Sequence, residues 1–355
     1  MKSIIAYTFD DVLISPRYST VRSRATGVSL SVKLGNIDLD LPIISSNMKT
    51  ITGSKMAATM AMNGGLGILH RFCTVEDNVK MYEEAMKLIV YPDNPDREAI
   101  WAENVGVSFG VKDDDKRRFE RLLNAGARIF CIDVAHGHHI LVKEMVEWIN
   151  SFRDSKRDAV CPNDGITIIA GNIATAQAYE DLIEWGVDVA KVGIGPGAAC
   201  ITRQRTGVGV PQLYALEQIY NASLSQKKPI PFIADGGISL SGNVPKALKF
   251  ADAVMIGSMF SGTSETPGHV FENEQGEMYK TYGGSASGEN KGENRFVEGV
   301  VKIVRFKGKV KYIIRKIKEG LQGACSYVGA KDLVEFKENC EFVLLSNGAQ
   351  RESKF

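Results

Sequence analysis

The segment Lys191-Val-Gly-Ile-Gly-Pro-Gly-Ala-Ala-Cys-Ile-Thr-Arg203 ends a glycine-rich loop on a thiol, a hydroxyl and a guanidinium. Gly193, Gly195 and Gly197 open backbone conformations closed to other residues and let the chain approach a bound molecule closely. A thiol on such a loop is exposed, and Arg203, three residues on, favours its thiolate. A lone loop cysteine is more often a small structural residue. Here three glycines, Thr202 and Arg203 crowd around Cys200, and that makes it the candidate nucleophile.

Two more segments suit an anion: Asp235-Gly236-Gly237 and Gly257-Ser258. Their glycines expose backbone N–H groups, Ser258 adds a hydroxyl, and Asp235 can accept from ribose hydroxyls. Each alone reads as a tight turn with a capping aspartate; together they favour a phosphorylated ligand. Asp133-Val-Ala-His-Gly-His-His139 clusters histidines, yet no carboxylate shows ligand spacing, so a metal is disfavoured. Cys131, inside its apolar run, reads as core.

These residues need a frame, and the chain alternates eight times between strand-like runs and amphipathic stretches. The runs are 42–46, 67–70, 105–109, 129–133, 166–170, 189–192, 231–235 and 253–257, apolar enough for strands buried on both faces. Thr74 caps a helix with Val75, Val79, Tyr82 and Met86 on one face. Thr175 opens another, with Ala178, Leu182 and Trp185 inside and Gly186 as its stop. Leu141, Met145, Trp148 and Ile149 mark a third. Eight βα units predict an α/β fold of the TIM-type (β/α)8 barrel, whose chemistry sits at the C-terminal strand ends and whose phosphate sites often follow strands seven and eight. The alternative is an open doubly wound sheet. Gly193-Ile-Gly-Pro-Gly-Ala198 formally fits a dinucleotide fingerprint, but it follows the sixth strand and no ribose-binding acid ends a strand near Leu213.

With 355 residues, one barrel domain over 1–355 is feasible, and 43 basic against 42 acidic residues give no pull toward nucleic acid or membrane. The basic run Lys302, Arg305, Lys307, Lys309, Lys311, Arg315, Lys316 and Lys318 interleaves with Val310, Ile313, Ile314, Ile317 and Leu321, one solvated face and one apolar face. No stretch is apolar for long enough to cross a bilayer, and the N-terminus is too short for a signal peptide. Six cysteines without a C-x-x-C pair suit free thiols, so a soluble, cytoplasmic protein is expected.

From Tyr-Thr-Phe-Asp-Asp-Val-Leu (7–13), through the Cys200 loop, to Cys-Ser-Tyr-Val-Gly-Ala (325–330), the chain resembles the IMP dehydrogenases and GMP reductases. The resemblance implies a barrel with an N-terminal extension and a C-terminal helical and loop segment, an active-site loop at 193–207 and a flap-like segment at 284–308. It implies that Cys200 attacks purine C2, that Asp235 binds ribose, and that Gly236, Gly237, Gly257, Ser258 and Tyr282 hold phosphate. Ser46, Asn47, Met48, Gly284 and Ser285 fall on the substrate side; Asp133, Val134, Ala135 and Asn172 fall on the cofactor side. A homotetramer and a monovalent cation, K+, held by carbonyls of Gly195, Gly197 and Cys200 are implied in the same way. Relatives carry serine where this chain has Ala198, so one phosphate hydrogen bond is missing.

Both reactions of that family move a hydride between C2 and a nicotinamide. Ser45-Ser-Asn-Met48 has asparagine where dehydrogenases tend to carry alanine; the stretch 284–308 is short for their flap; and Arg295-Phe296 lacks the phenol of the flap's Arg-Tyr pair. Residues 71–104 leave no room for an inserted regulatory tandem domain. The expectation is therefore an NADPH-dependent GMP reductase, with IMP dehydrogenase and a non-catalytic purine-nucleotide-binding barrel as alternatives. Thr202 matches the reductases' proton-handling threonine. Their partner glutamate falls on Gly288, with Glu289 one residue later, so Glu289 takes that role only if the loop is shifted by one.

Overall fold

The computed structural model describes residues 4–89, 104–155, 165–284 and 299–352. β1 (Val12–Ile14) precedes an antiparallel hairpin of β2 (Val32–Leu34) and β3 (Ile37–Leu39). Eight strands follow: β4 (Ile43–Ser45), β5 (Leu66–Leu69), β6 (Val105–Phe109), β7 (Ile129–Asp133), β8 (Thr167–Ile173), β9 (Val189–Val192), β10 (Phe232–Asp235) and β11 (Ala253–Ile256). Neighbours in sequence pair in parallel and β11 returns to β4, which closes the sheet into a barrel. This is the expected (β/α)8 architecture, with its strands at the expected places. β8 runs past its expected end at 170, and a register shift between Gly171 and Ile173 leaves Asn172 in the irregular step of the ladder.

Strand side chains alternate between two faces, and here both faces are apolar. Inside the barrel, Ile44, Leu66, Ile68, Ile129, Cys131, Ile169, Val189, Ile233 and Met255 form one cluster, which Leu34, Ile37 and Leu39 of the hairpin complete. Two residues further along β7, β9 and β10 the same inward face changes character. Cys131 gives way to Asp133, Val189 to Lys191 and Ile233 to Asp235. A polar layer therefore caps the apolar one at the C-terminal strand ends.

Helix punctuation follows local chemistry. The Thr74 hydroxyl accepts from the Asp77 N–H, the Thr175 hydroxyl accepts from the Ala178 N–H, and Gly186, left-handed at φ 86°, ends the helix Ala176–Trp185. Two faces differ from expectation. In Ile140–Ser155, Val142 and Val146 join Met145 and Ile149 on the buried side, so the stripe is rotated and Leu141 is exposed. In Val75–Leu88, Val79 and Met86 are half-buried, and Asn78 and Ala85 share the buried side with Val75 and Tyr82. Asn78 is tolerated there because its amide donates to His70 O and accepts from Arg118.

Beyond the barrel, β12 (Phe271–Glu272), β13 (Met278–Gly283) and β14 (Val301–Arg305) form an antiparallel sheet. The helix Val310–Tyr327 buries Val310, Ile314, Ile317 and Leu321 and leaves its lysines exposed. β15 (Phe342–Leu344) pairs with β1 and ties the two ends of the chain together. Among the described residues no helix is long and apolar enough to cross a membrane.

Candidate active site

A cavity of about 620 Å³ opens where the barrel strands end. Cys200 and Thr202 stand on its wall, and the Cys200 thiol donates to Thr202 Oγ1 at 3.1 Å. The short helix Thr202–Thr206 starts directly after the cysteine and turns Arg203 the other way. That guanidinium donates to Val210 O at 2.5 Å and its stem packs over Gly195 and Gly209. Arg203 therefore braces the loop. No contact between it and the thiol is present, which corrects the expectation drawn from sequence proximity.

The polar layer forms the deepest part of the cavity. Lys191 Nζ donates to Asp133 Oδ1 at 3.0 Å and Asp235 Oδ2 at 2.8 Å, and also to Asn172 Oδ1. Burial alone would pull the Lys191 pKa down, but the facing carboxylates of Asp235 and Asp133 outweigh it and hold the ammonium charged. Burial likewise works against ionised Asp133, and the Lys191 and Arg71 charges prevail and keep its pKa below the usual carboxylate range. Asn172 Nδ2 donates to Gly193 O and Asp235 Oδ2, each at 2.8 Å, so both amide ends are fixed. A Cβ on Gly193 would lie 2.0 Å from Asp235 O, so the loop passes the strand end this closely only with glycine there. Asp235 Oδ1 stays available to a ligand, having no partner among the described residues.

Asp133, Val134, Ala135 and Asn172, expected on the cofactor side, line the cavity. A buried nitrogen of the lining, Arg71 Nε, lacks a protein partner among the described residues, and Asn47 Nδ2 is buried beside Asp133. A buried donor left open in a polar cleft fits a ligand with acceptor atoms, such as a nicotinamide nucleotide and a purine.

At the other end, Gly197, Gly236, Tyr282 and Gly284 line the wall with Ser46 and Met48. Gly236 and Gly237 are left-handed, at φ 92° and 80°, which turns the chain around the anion end. Gly257 lies against Met48, Tyr282 Oη and Ser46. Tyr282 is buried, and its pKa is raised to about 12 by burial first and then by Asp235 and Cys200, so the phenol remains a donor. Gly237, Gly257 and Ser258 border this end without lining the cavity itself. Gly197 O accepts from the Cys200 N–H at 3.0 Å, whereas the carbonyls of Gly195 and Cys200, the other two of the three expected to hold a monovalent cation, take no backbone N–H among the described residues.

Glu289, Ser285, Arg295 and Phe296 lie outside the described residues. His138 pairs with Asp181 at 2.6 Å, a carboxylate too distant in sequence for spacing to reveal; no group of three such ligands forms among the described residues. Sequence reasoning passed over Lys191, Arg71, Lys112 and Gln212. Lys191 carried a signal: a charge inside the buried run Val-Ala-Lys-Val is stable only with partners.

A model of the IMP dehydrogenase / GMP reductase domain family matches residues 6–355. The chain is 36% identical over 352 residues to the GMP reductase of Lactobacillus delbrueckii subsp. bulgaricus, covering 97% of this chain and 96% of the relative. It is 36% identical over 337 residues to the GMP reductase of an Acidovorax strain, covering 94% of each. An inosine-5'-monophosphate dehydrogenase from Nitrosopumilus maritimus is 31% identical over 476 aligned residues, covering 98% of this chain and 97% of that relative.

Proposed function

Because the chain belongs to the IMP dehydrogenase / GMP reductase family, we propose that it carries out the NADPH-dependent reductive deamination of GMP to IMP and ammonia. The observation that carries this reading is the Cys200–Thr202 contact on the wall of one cavity with Asp133, Asn172 and Asp235. The 36% identity to GMP reductases of nearly the same aligned length supports it.

On this reading the Cys200 thiolate adds to C2 of the purine and the exocyclic amine leaves as ammonia. Thr202 and Glu289 handle the proton that the leaving amine takes up. When bound, NADPH would supply a hydride to C2 in place of sulfur, and Cys200 would take back the electron pair of the C–S bond. GMP, NADPH and two protons thus give IMP, NADP+ and ammonium. Asp235 accepts from ribose hydroxyls through its open oxygen. Gly236, Gly237, Gly257, Ser258 and Tyr282 surround the phosphate, with Gly284 and Ser285 beyond them. Asp133, Val134, Ala135 and Asn172 hold the nicotinamide ribose and the ring near C2. Carbonyls of Gly195, Gly197 and Cys200 would hold K+ and stiffen the nucleophile loop. A cytoplasmic homotetramer completes the proposal.

Purified protein mixed with GMP and NADPH tests it. NADPH absorbance should fall while ammonia appears one for one. Reduction of NAD by IMP would mark a dehydrogenase, and nucleotide binding without turnover would mark a non-catalytic barrel.

A further inference from the structure

Among the described residues, the side chains that line the phosphate end of the cavity include no cation. Gly197, Gly236, Tyr282 and Gly284 are neutral, Asp235 on the same wall is negative, and Lys191 already answers two carboxylates. A monophosphate ester carries nearly two negative charges near neutral pH. Backbone N–H groups and a phenol can solvate that charge without neutralising it.

Lys302 stands beside that end, exposed and outside the cavity lining. It lies on β14 directly opposite Tyr282 of β13, and opposed residues of an antiparallel pair project from the same face. The start of β14 is stitched to the nucleophile loop: the Val300 N–H donates to Ala199 O at 3.0 Å, and Cys200 and Gly299 form a bridge. Over this seam Lys302 Nζ donates to Ala198 O at 2.8 Å. The next residue back, Gly197, packs against Gly236, and Ala198 has no polar side chain of its own to offer. An ammonium has three donors, so two remain after the Ala198 contact. Lys307 places its ammonium on Ser258 O and Met259 O, at 3.1 and 3.2 Å, on the loop that borders the same end, where these two carbonyls hold it.

We propose that Lys302 is a specificity-determining residue whose ammonium binds the nucleotide's phosphate and so separates a nucleoside monophosphate from its nucleoside. The proposal rests on the purine-nucleotide reading of the site given above. The Ala198 contact holds the long side chain over the seam in advance, which lowers the ordering cost on binding.

Calorimetry with GMP and with guanosine, at low salt, on wild type, Lys302→Met and Lys302→Arg tests this directly. Lys302→Met should weaken GMP roughly tenfold or more, the worth of a charge-assisted hydrogen bond. Lys302→Arg should stay within about threefold, because it keeps the charge. Guanosine affinity should be the same in wild type and Lys302→Met, and KM for GMP should rise with kcat held. Equal weakening of GMP and guanosine would show a loop brace acting through Ala198 and overturn the proposal, as would unchanged GMP affinity. Wild-type protein that binds no purine monophosphate would instead bring down the reading of the site itself, a result visible before any substitution is made.

Discussion

The two ends of the cavity meet charge in opposite ways. At one end Asp133, Lys191, Asp235 and Asn172 face each other from four successive strands, and each charge is answered by a protein group. At the other, left-handed Gly236 and the buried phenol of Tyr282 line the wall, and Lys302 reaches Ala198 O beside them. A desolvated charge must be balanced in place, so the first end is part of what holds the barrel top together. Backbone donors carry no net charge, so the second end can stay open until a ligand arrives. Substitutions at the first end should therefore cost stability, and those at the second should cost affinity.

The largest effect belongs to neither end. Cys200→Ala should lose several decades of rate, because the covalent step is gone. Nucleotide affinity, measured by calorimetry, should stay within a few-fold, since ribose and phosphate contacts come from elsewhere. Retention of more than about a tenth of the wild-type rate would remove Cys200 as nucleophile.

Lys191→Met tests the charged end. It leaves Asp133 and Asp235 facing each other without their cation, and removing one partner of a buried ion pair costs about 3–5 kcal/mol. Denaturant unfolding should show that loss, and adding Asp133→Asn should restore part of it, since the two sites share one interaction. A loss below about 1 kcal/mol would mean that water replaces the lysine and that the ends do not differ as described.

At the open end, Gly236→Ala forces a φ of 92° on an L-residue and sets its Cβ 3.0 Å from Pro196 Cγ. The backbone cost is about 1–2 kcal/mol, and the shifted turn should weaken GMP more than it weakens a cofactor analogue. Equal weakening of both would erase the division between the ends.

The smallest effect is a pH dependence beside the charged end. His70 is buried, and burial first, then the Lys49 and Arg118 charges, lower its pKa from 6.5 to about 4. The folded form keeps it neutral while the unfolded chain protonates below 6.5, so its contribution is complete above 6.5 and is lost as pH falls toward 4. By about pH 5.5 the loss should be about 1 kcal/mol, and His70→Asn should flatten that part of the stability profile.

Much of this frame was legible in the sequence, for reasons that differ by region. The barrel strands announce themselves because runs such as Ile-Phe-Cys-Ile-Asp (129–133) must be buried on both faces, and Thr74, Thr175 and Gly186 mark helix ends by local hydrogen bonding alone. The wiring of Lys191 was not readable. Its partners Asp133 and Asp235 lie 58 and 44 residues away, and only barrel closure brings them to one ammonium. Arg203 shows the reverse case, in which closeness in sequence misleads because a helical turn carries the guanidinium to Val210. Lys302 reads as one more basic surface residue until the β13–β14 register sets it opposite Tyr282.

The central claim is that hydride from NADPH replaces sulfur at purine C2 after the amine has departed. Turnover of GMP with NADPH carrying deuterium at both C4 positions of the nicotinamide, followed by mass and proton spectra of the nucleotide product, tests it most directly. The expected result is IMP carrying one deuterium at C2, with one ammonia released per label transferred. IMP without deuterium, or reduction of oxidised cofactor by IMP with no turnover of GMP, would contradict it.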